Sequence, residues 1–161
     1  MSITKNTISL LNQNSIYMFS KACEYGLKAC IFIAVQSQLG KKASLLDVAD
    51  AIKSPASYTS KILQLLSKNH IITSSKGPTG GFSMDSFQLE NTMMSTIVQV
   101  IDGDDIYNGC GLGLIKCNEL KPCPVHNQFK FIRDELKTMV ETTSIKSLAD
   151  DLEEGLTFLK R

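Results

Sequence analysis

The sequence has no apolar run long enough to cross a membrane and no secretory signal at its start. The run from Ile31 to Val35 is far too short for a membrane span, and residues 1–17 are polar. These absences predict a cytoplasmic protein without a membrane partner. In a reducing cytoplasm, clustered cysteines serve metal or redox chemistry more often than disulfides, and the five cysteines here are an odd number.

The chain also carries almost no net charge, but its charges are unevenly placed. The total is +1. Residues 1–84 contain nine lysines and three acidic residues, a net charge of +6, whereas residues 85–161 have a net charge of −5. A basic half beside an acidic half predicts that one face meets a polyanion. A hydrophobic share of 43% in 161 residues allows one domain with a real core, with or without an appendage.

The first half of the chain begins with a polar extension and continues into an amphipathic helix. Residues 1–16 show no clear period. From about Tyr17 to Gly40 the apolar residues recur at helical spacing, and Cys23 and Cys30 lie on the apolar stripe. We expect these two cysteines to be small buried hydrophobic residues.

Two short helices joined by a tight turn follow. Ser44 and Asp47 form a capping-box pattern at the start of one helix, and Ser54 is expected to cap a second helix that ends near Asn69. This is a helix-turn-helix pattern, whose second helix reads the major groove of DNA. The residues expected to face the groove are Ser57, Tyr58, Thr59, Ser60 and Lys61.

A β-hairpin is predicted directly after the helix-turn-helix. The stretches His70–Thr73 and Phe82–Met84 are strand-like, and the glycine-rich residues 76–81 form the turn between them. The turn lacks the spaced Gly-Lys-Ser/Thr of a nucleotide-binding loop, so it is interpreted as a wing. His70 is expected to pack at the helix–strand junction. The wing residues expected to lie against DNA are Lys76, Gly77 and Gly80.

After the wing, Asn91 or Thr92 is expected to cap a helix that runs through Ile101. Three aspartates follow, but they lack the loop glycine and terminal glutamate of a calcium loop, so we expect a solvated helix end. These aspartates are Asp102, Asp104 and Asp105.

The segment from Gly109 to His126, called here the cysteine loop, contains the candidate metal ligands. Cysteine thiolates and a histidine at short spacing are the usual donors of a metal site. The gaps of six and five residues between successive cysteines are long for a structural zinc site and suit ligands that reach different irons of a cluster. Three free thiols are the alternative. The candidate ligands are Cys110, Cys117, Cys123 and His126.

A long helix is predicted from Pro124 to about Thr142, with apolar residues spaced alternately by four and three. Such a seam in a small domain predicts a homodimer interface, with packing inside the monomer as the alternative. The seam residues are Val125, Phe129, Ile132, Leu136 and Met139. Ser144 is expected to cap a final amphipathic helix.

These parts in this order resemble the IscR/NsrR/CymR family of winged helix-turn-helix transcription regulators. The matching stretches are residues 19–27, Ser57-Tyr58, the Lys76-to-Phe82 wing, the three-cysteine loop, and Thr143 with Leu148-Ala149-Asp150. The resemblance implies a mainly α fold with a small β-hairpin wing, comprising a winged helix-turn-helix head and a long dimerisation helix. The expected division is an extension at 1–16, the DNA-binding head at 17–90, and the cluster loop and dimerisation helices at 91–161.

The resemblance also implies a function and a cofactor. Family members are dimers that bind palindromic operators, and many carry an iron–sulfur cluster whose state alters DNA binding. An IscR-like site implies a 2Fe–2S cluster on Cys110, Cys117, Cys123 and His126. An NsrR-like site implies a 4Fe–4S cluster with Glu24 from the partner subunit as fourth ligand. Three departures are a first cysteine gap of six residues, where five is commoner, Lys76 where arginine is usual, and the polar N-terminal extension, which has no counterpart in the family.

The sequence therefore predicts a DNA-binding regulator, expected to be a repressor, whose cluster senses iron, redox state or nitric oxide. A cluster-free regulator that depends on thiols or zinc is the alternative with the same fold. A more remote alternative is an enzyme that pairs Cys123 or Cys110 with His126, but the sequence shows no third residue to orient the base. We therefore expect no enzymatic activity.

Overall fold

The computed structural model describes residues 18–115 and 117–159, apart from the side chain of Asp105. The predicted extension at 1–16 lies outside these residues. The fold is mainly helical with one antiparallel pair of strands, which confirms the predicted class. None of the described helices is both long and apolar enough to cross a membrane. The elements are α1 (Lys21–Gln38), α2 (Leu45–Ile52), α3 (Ala56–Lys68), β1 (Thr73–Ser75), β2 (Gly81–Ser83), α4 (Ser86–Asn91), α5 (Met94–Ile101), α6 (Asp105–Asn108), α7 (His126–Thr142) and α8 (Ile145–Glu153).

Helix α1 is the centre of the fold. It begins after Ser20, whose hydroxyl accepts a hydrogen bond from the Cys23 backbone N–H at 3.1 Å, so it starts later than the predicted Tyr17. Cys23 and Cys30 are fully buried, which confirms their predicted role. Burial, reinforced by the nearby Asp102 carboxylate, raises the pKa of Cys23 to about 12, and burial also raises the pKa of Cys30.

The helix-turn-helix consists of α2 and α3. The predicted capping box is confirmed, since the Ser44 hydroxyl accepts from the Asp47 N–H and the Asp47 carboxylate accepts from the Ser44 N–H. The prediction that Ser54 caps the second helix is wrong. Pro55 is the residue before α3, and the Ser54 hydroxyl is buried without a hydrogen-bond partner among the described residues. Proline has a φ suited to a helix start, so α3 begins without a side-chain cap.

The wing is the hairpin of β1 and β2, which pair from Thr73↔Ser83 to Ser75↔Gly81. Ala43, just before α2, pairs with the other edge of β2 through hydrogen bonds to Phe82 of 2.8 and 2.9 Å. The predicted packing of His70 at the helix–strand junction is wrong. His70 is exposed with a φ of 58°, a left-handed conformation that turns the chain from α3 towards the wing.

Two features after the wing differ from the prediction. Helix α4 was not expected; its Asp85 cap forms a capping box with Gln88. Helix α5 begins after Met93 without a side-chain cap, so the predicted Asn91 or Thr92 cap is wrong. The Thr92 hydroxyl instead donates back to the Gln88 carbonyl oxygen at 2.7 Å, and Thr92 is buried.

The segment between Met93 and Ser144, called here the excursion, leaves the DNA-binding head and returns to it. It leaves at Met93 and comes back at Ser144, and these two residues form an isolated antiparallel bridge. Met94 N–H donates to Thr143 O and Ile145 N–H donates to Thr92 O, each at 2.9 Å. The Ser144 cap of α8 is confirmed.

Helix α8 packs back onto α1, and its Ile145 and Ala149 belong to the same core as α1. Asp150 secures this contact, since its carboxylate accepts a hydrogen bond from Gln38 Nε2 at 2.6 Å and lies 3.2 Å from Lys146 Nζ. The division of the chain at residue 90 stays a prediction.

We predict that Asp150→Asn destabilises the fold in a pH-dependent way. Hydrogen bonds from Gln38 and Lys146 lower the pKa of the Asp150 carboxyl. A carboxyl with a depressed folded pKa stabilises the fold above its unfolded pKa, about 4, and this stabilisation is lost as the pH falls through the folded pKa. Urea unfolding at pH 7 should therefore give a lower free energy of unfolding for the variant, and the difference should shrink near pH 3.

The matched control is Asp151→Asn at the next position, because no hydrogen bond to the Asp151 side chain occurs within the described part of the chain. Equal loss of stability in the two variants, or a difference independent of pH, would show that Asp150 does not hold α8 on α1.

Candidate nucleic-acid interface and metal centre

The start of α3 presents most of the predicted DNA-reading residues to solvent. Ser57, Tyr58 and Lys61 are exposed and Ser60 is half-buried. Thr59 is fully buried, so the expectation that it faces the groove is wrong. Its hydroxyl donates to the Pro55 carbonyl oxygen at 3.1 Å, and its position on α3 turns it towards the core.

The exposed Tyr58 is supported by a ring contact with α1. Its ring packs edge-on against the ring of Tyr25, with centroids 5.8 Å apart and planes at 75°. The ammonium groups of Lys21 and Lys28 lie 5.2 and 5.9 Å from the Tyr25 ring centroid. Tyr58 therefore packs against α1 and is still 38% exposed.

The wing turn presents Lys76 and Gly77, both exposed. Gly77 has a φ of 100°, which favours glycine. Gly80 has a different role, because a Cβ there would collide with the Ser75 carbonyl oxygen. Gly80 is thus required for the tight turn, and the wing surface that a partner can touch is centred on Lys76.

The cysteine loop brings its four candidate ligands together as two pairs. Cys117 Sγ lies 3.3 Å from His126 Nδ1. The Cys123 side chain lies close enough to Cys110 to help lower the pKa of the Cys110 thiol. His126 is the first residue of α7 and is buried, and its backbone N–H donates to the Cys123 carbonyl oxygen at 3.0 Å. The turn between Cys123 and the helix therefore places both pairs at the start of α7.

The surroundings of Cys110 favour its thiolate form. Hydrogen bonds from the backbone N–H groups of Leu112 and Leu114 lower the pKa of its thiol, and the Cys123 side chain and the Arg133 charge act in the same direction. Because the thiolate is the form that binds metal, this environment favours metal binding.

Helix α7 anchors the loop from below. The guanidinium of Arg133 donates to the Gly109 carbonyl oxygen at 2.7 Å and to Cys117 Sγ at 3.4 Å. The Phe129 ring lies directly beneath Gly111, where a Cβ would collide with it. A cavity of about 410 Å³ lies beside this anchor, lined by residues that include Tyr107, Cys117 and His126.

The donors of the loop are three thiols and one imidazole, which suit either a zinc ion or an iron–sulfur cluster. Within residues 18–115 and 117–159, no three candidate ligands form one group around a common point. A four-coordinate zinc site requires all of its ligands around one ion. A 2Fe–2S cluster takes two protein ligands on each of two irons.

Glu24, the other candidate ligand, lies on α1 and not in the loop. Its carboxylate is 2.7 Å from Lys21 Nζ, and its side chain is 21% exposed. Within one chain it is an ion-paired residue of the first helical turn.

Only some of the predicted seam residues of α7 are exposed to solvent. Phe129 is half-buried beneath the loop, and Leu136 is half-buried. Ile132 and Met139 are 56% and 44% exposed, and the neighbouring Phe131 is 66% exposed. Large apolar side chains exposed on one helix mark an interaction surface.

Comparisons with known proteins identify the family. The model of the Rrf2 family, described as an iron-dependent transcriptional regulator, matches residues 19–151. The chain belongs to the Rrf2 family. A protein of Aquifex aeolicus (strain VF5), named as a candidate HTH-type transcriptional regulator, is 27% identical over 141 residues, covering 86% of this chain and 96% of that protein. This Rrf2 chain is therefore a transcriptional regulator, which removes the enzyme alternative.

Solved structures show the same fold. CymR (YrzC), the global cysteine regulator of B. subtilis, has a TM-score of 0.66 at 20% identity, covering 82% of this chain and 95% of that one. IscR of T. potens has a TM-score of 0.66 at 15% identity, covering 86% and 90%. At these identities the likeness concerns the Rrf2 fold alone, and it includes proteins named for cysteine regulation as well as IscR.

Three residues of this Rrf2 site were missed by sequence reasoning. Arg133 lies on α7, far in sequence from the loop residue Gly109 that it binds. In the sequence it looks like one of several charged residues on a solvent-exposed helix. Tyr25 lay inside a matched family stretch, but its contact with α3 has no local signal. Asp102 was expected to be solvated, yet its carboxylate accepts hydrogen bonds from the Ser20 backbone and hydroxyl, because the end of α5 lies against the start of α1.

Proposed function

We propose that this Rrf2 regulator acts in the cytoplasm as a homodimer on a palindromic operator. We further propose that a 2Fe–2S cluster held by Cys110, Cys117, Cys123 and His126 modulates its DNA binding. The observation that carries the proposal is the 3.3 Å contact between Cys117 Sγ and His126 Nδ1 at the start of α7, with Cys123 also near Cys110. When bound, the cluster supplies a centre that responds to oxidant, nitric oxide or iron supply.

The chain's own residues have separate tasks in this proposal. Cys110 and Cys123 form one pair of ligands and Cys117 and His126 the other. His126 is the one nitrogen ligand of the proposed set. Burial of His126 fixes its position, since it is only 6% exposed.

The proposed DNA face consists of the exposed start of α3 and the exposed wing turn. Ser57, Tyr58 and Lys61 enter the major groove, and Ser60 lies beside them. Lys76 and Gly77 of the wing contact the phosphates or the minor groove, and Lys76 supplies sequence-independent attraction. Repression follows when this face covers a promoter.

Helix α5 connects the two sites. It leads through α6 into the cysteine loop, and it also packs on α1 and α3. At Gly26, the side chains of Ile97 and Ile101 from α5 and Ile62 from α3 converge on one point. A change in the loop that moves α5 therefore reaches the reading helix through direct packing. Such coupling requires that the two cluster states bind DNA differently.

A cluster-free thiol regulator is the second candidate. Cys110 has a lowered pKa to which the neighbouring Cys123 side chain contributes, so these two thiols are the candidates for oxidation as a pair. The two candidates differ in colour, because an iron–sulfur cluster absorbs visible light and a thiol or zinc site does not. A visible spectrum with iron and sulfide assays on anaerobically purified protein separates them.

We predict that His126→Ala changes the visible spectrum and shortens the cluster lifetime, because it removes one ligand of the Cys117 pair. Glu24→Ala, prepared in the same anaerobic way, is the comparison, since Glu24 would be the fourth ligand of a 4Fe–4S cluster. If the histidine variant keeps the wild-type spectrum and lifetime while the glutamate variant loses them, Glu24 is the ligand and the 2Fe–2S assignment is wrong.

We predict that Lys76→Ala weakens operator binding and reduces its dependence on salt. Loss of one phosphate contact lowers the slope of log affinity against log salt by about one for each wing. Fluorescence anisotropy with an operator duplex across a salt series measures both effects. Lys137→Ala on α7 is the control with the same change of charge, and equal slopes for all three proteins would exclude the wing from the interface.

We predict that Ile132→Asp converts the dimer into monomers at micromolar concentration. It places a charge on the exposed apolar face of α7, where a partner helix would bury it. Lys137→Asp, about 140° around the same helix from Ile132 and away from the exposed apolar side chains, is the control and should remain dimeric. Sedimentation velocity gives the outcome, and an unchanged dimer for Ile132→Asp would place the interface elsewhere.

A further inference from the structure

Arg133 is the one described side chain that hydrogen-bonds both the beginning and the middle of the cysteine loop. Its Nη1 donates to the carbonyl oxygen of Gly109, the first residue of the loop, at 2.7 Å. Its Nη2 donates to the sulfur of Cys117 at 3.4 Å. Within the described residues no carboxylate lies at ion-pair distance from Arg133, whereas the adjacent Asp134 is paired with Lys130 at 2.9 Å. Its charge is therefore directed at the loop.

We infer that Arg133 is a positioning residue that closes the cysteine loop on α7 and raises the reduction potential of the cluster held there. The inference rests on the proposed function, because it needs Cys117 as a cluster ligand.

The positioning part follows from the shape of the guanidinium. Its two terminal nitrogens lie on one rigid plane, so two acceptors can be bound at once. One acceptor is the backbone carbonyl of Gly109 and the other is the candidate ligand Cys117. The two hydrogen bonds therefore hold both residues at fixed positions relative to α7. Phe129 beneath Gly111 supports the same segment by packing. Outer contacts of this kind typically change metal affinity by about 10- to 100-fold when they are removed.

The effect on potential follows from charge. Reduction adds an electron to the cluster, and the sulfur ligands then carry more negative charge. A cation with a hydrogen bond to one of these sulfurs stabilises the reduced state more than the oxidised state, so it raises the potential. A residue that only filled space would leave the potential unchanged.

The experiment compares Arg133→Gln and Arg133→Lys with Lys137→Gln, which removes the same charge one turn further along α7. Lys137 pairs loosely with Glu141, at 3.9 Å, and touches neither end of the loop. In anaerobically prepared holoprotein, Arg133→Gln should lower the midpoint potential and speed the loss of the cluster about tenfold. Arg133→Lys keeps the positive charge, so its midpoint potential should lie closer to the wild-type value than that of Arg133→Gln. It should still lose its cluster faster than the wild type, since a single ammonium cannot bind both acceptors as the planar guanidinium does. Lys137→Gln should match the wild type.

A second measurement does not depend on the cluster. In the metal-free protein, hydrogen exchange of the amides of residues 110–115 should be faster in Arg133→Gln than in the wild type and in Lys137→Gln. Unchanged exchange would overturn the positioning part, and an unchanged potential would overturn the electrostatic part. If the wild type binds no cluster, the proposed function and the electrostatic part both fall, and the exchange result still decides whether Arg133 closes the loop.

Discussion

The close approach of α5 to α1 at Gly26 is the constraint on which the head and the candidate centre both depend. A Cβ on Gly26 would collide with Ile101 Cδ1, and it would lie 3.6 Å from Ile97 Cγ2 and 3.7 Å from Ile62 Cγ2. A side chain at this position would displace the end of the Ile101 side chain, while Ile97 and Ile62 lie at ordinary contact distance. Close-packed contacts of this kind transmit displacement because they leave no void to absorb it.

Polar contacts extend this packing towards the loop. Asp102 ends α5 and accepts hydrogen bonds from Ser20, the cap of α1, so the two helix ends are tied together. The buried Cys23 thiol lies against the same carboxylate, which contributes to its raised pKa. Cys23 thus belongs to the contact between α1 and α5, and its chemistry is distinct from that of the half-buried loop cysteines.

The sequence predicted those features whose causes are local. The Ser44 and Ser144 caps, the burial of Cys23 and Cys30, and the hairpin all follow from spacing over a few residues. What it could not predict depends on helical phase or on distant partners. Thr59 lies between exposed residues yet turns inwards, and Arg133 gains its role only when α7 folds under the loop. The pairing of the four candidate ligands also needs the fold, because the sequence orders them without showing which are neighbours.

The bridge between Met93 and Ser144 has a consequence for how this protein can vary. Both ends of the excursion are fastened to each other by backbone hydrogen bonds, so the head receives the same two anchor points whatever lies between them. Lengthening a segment whose ends are already held adjacent costs little entropy, because the cost grows only with the logarithm of length. Insertions and deletions in the excursion therefore change the stability of the DNA-binding head only a little. The six-residue spacing between Cys110 and Cys117 is a change that such an architecture tolerates without altering the DNA-reading surface.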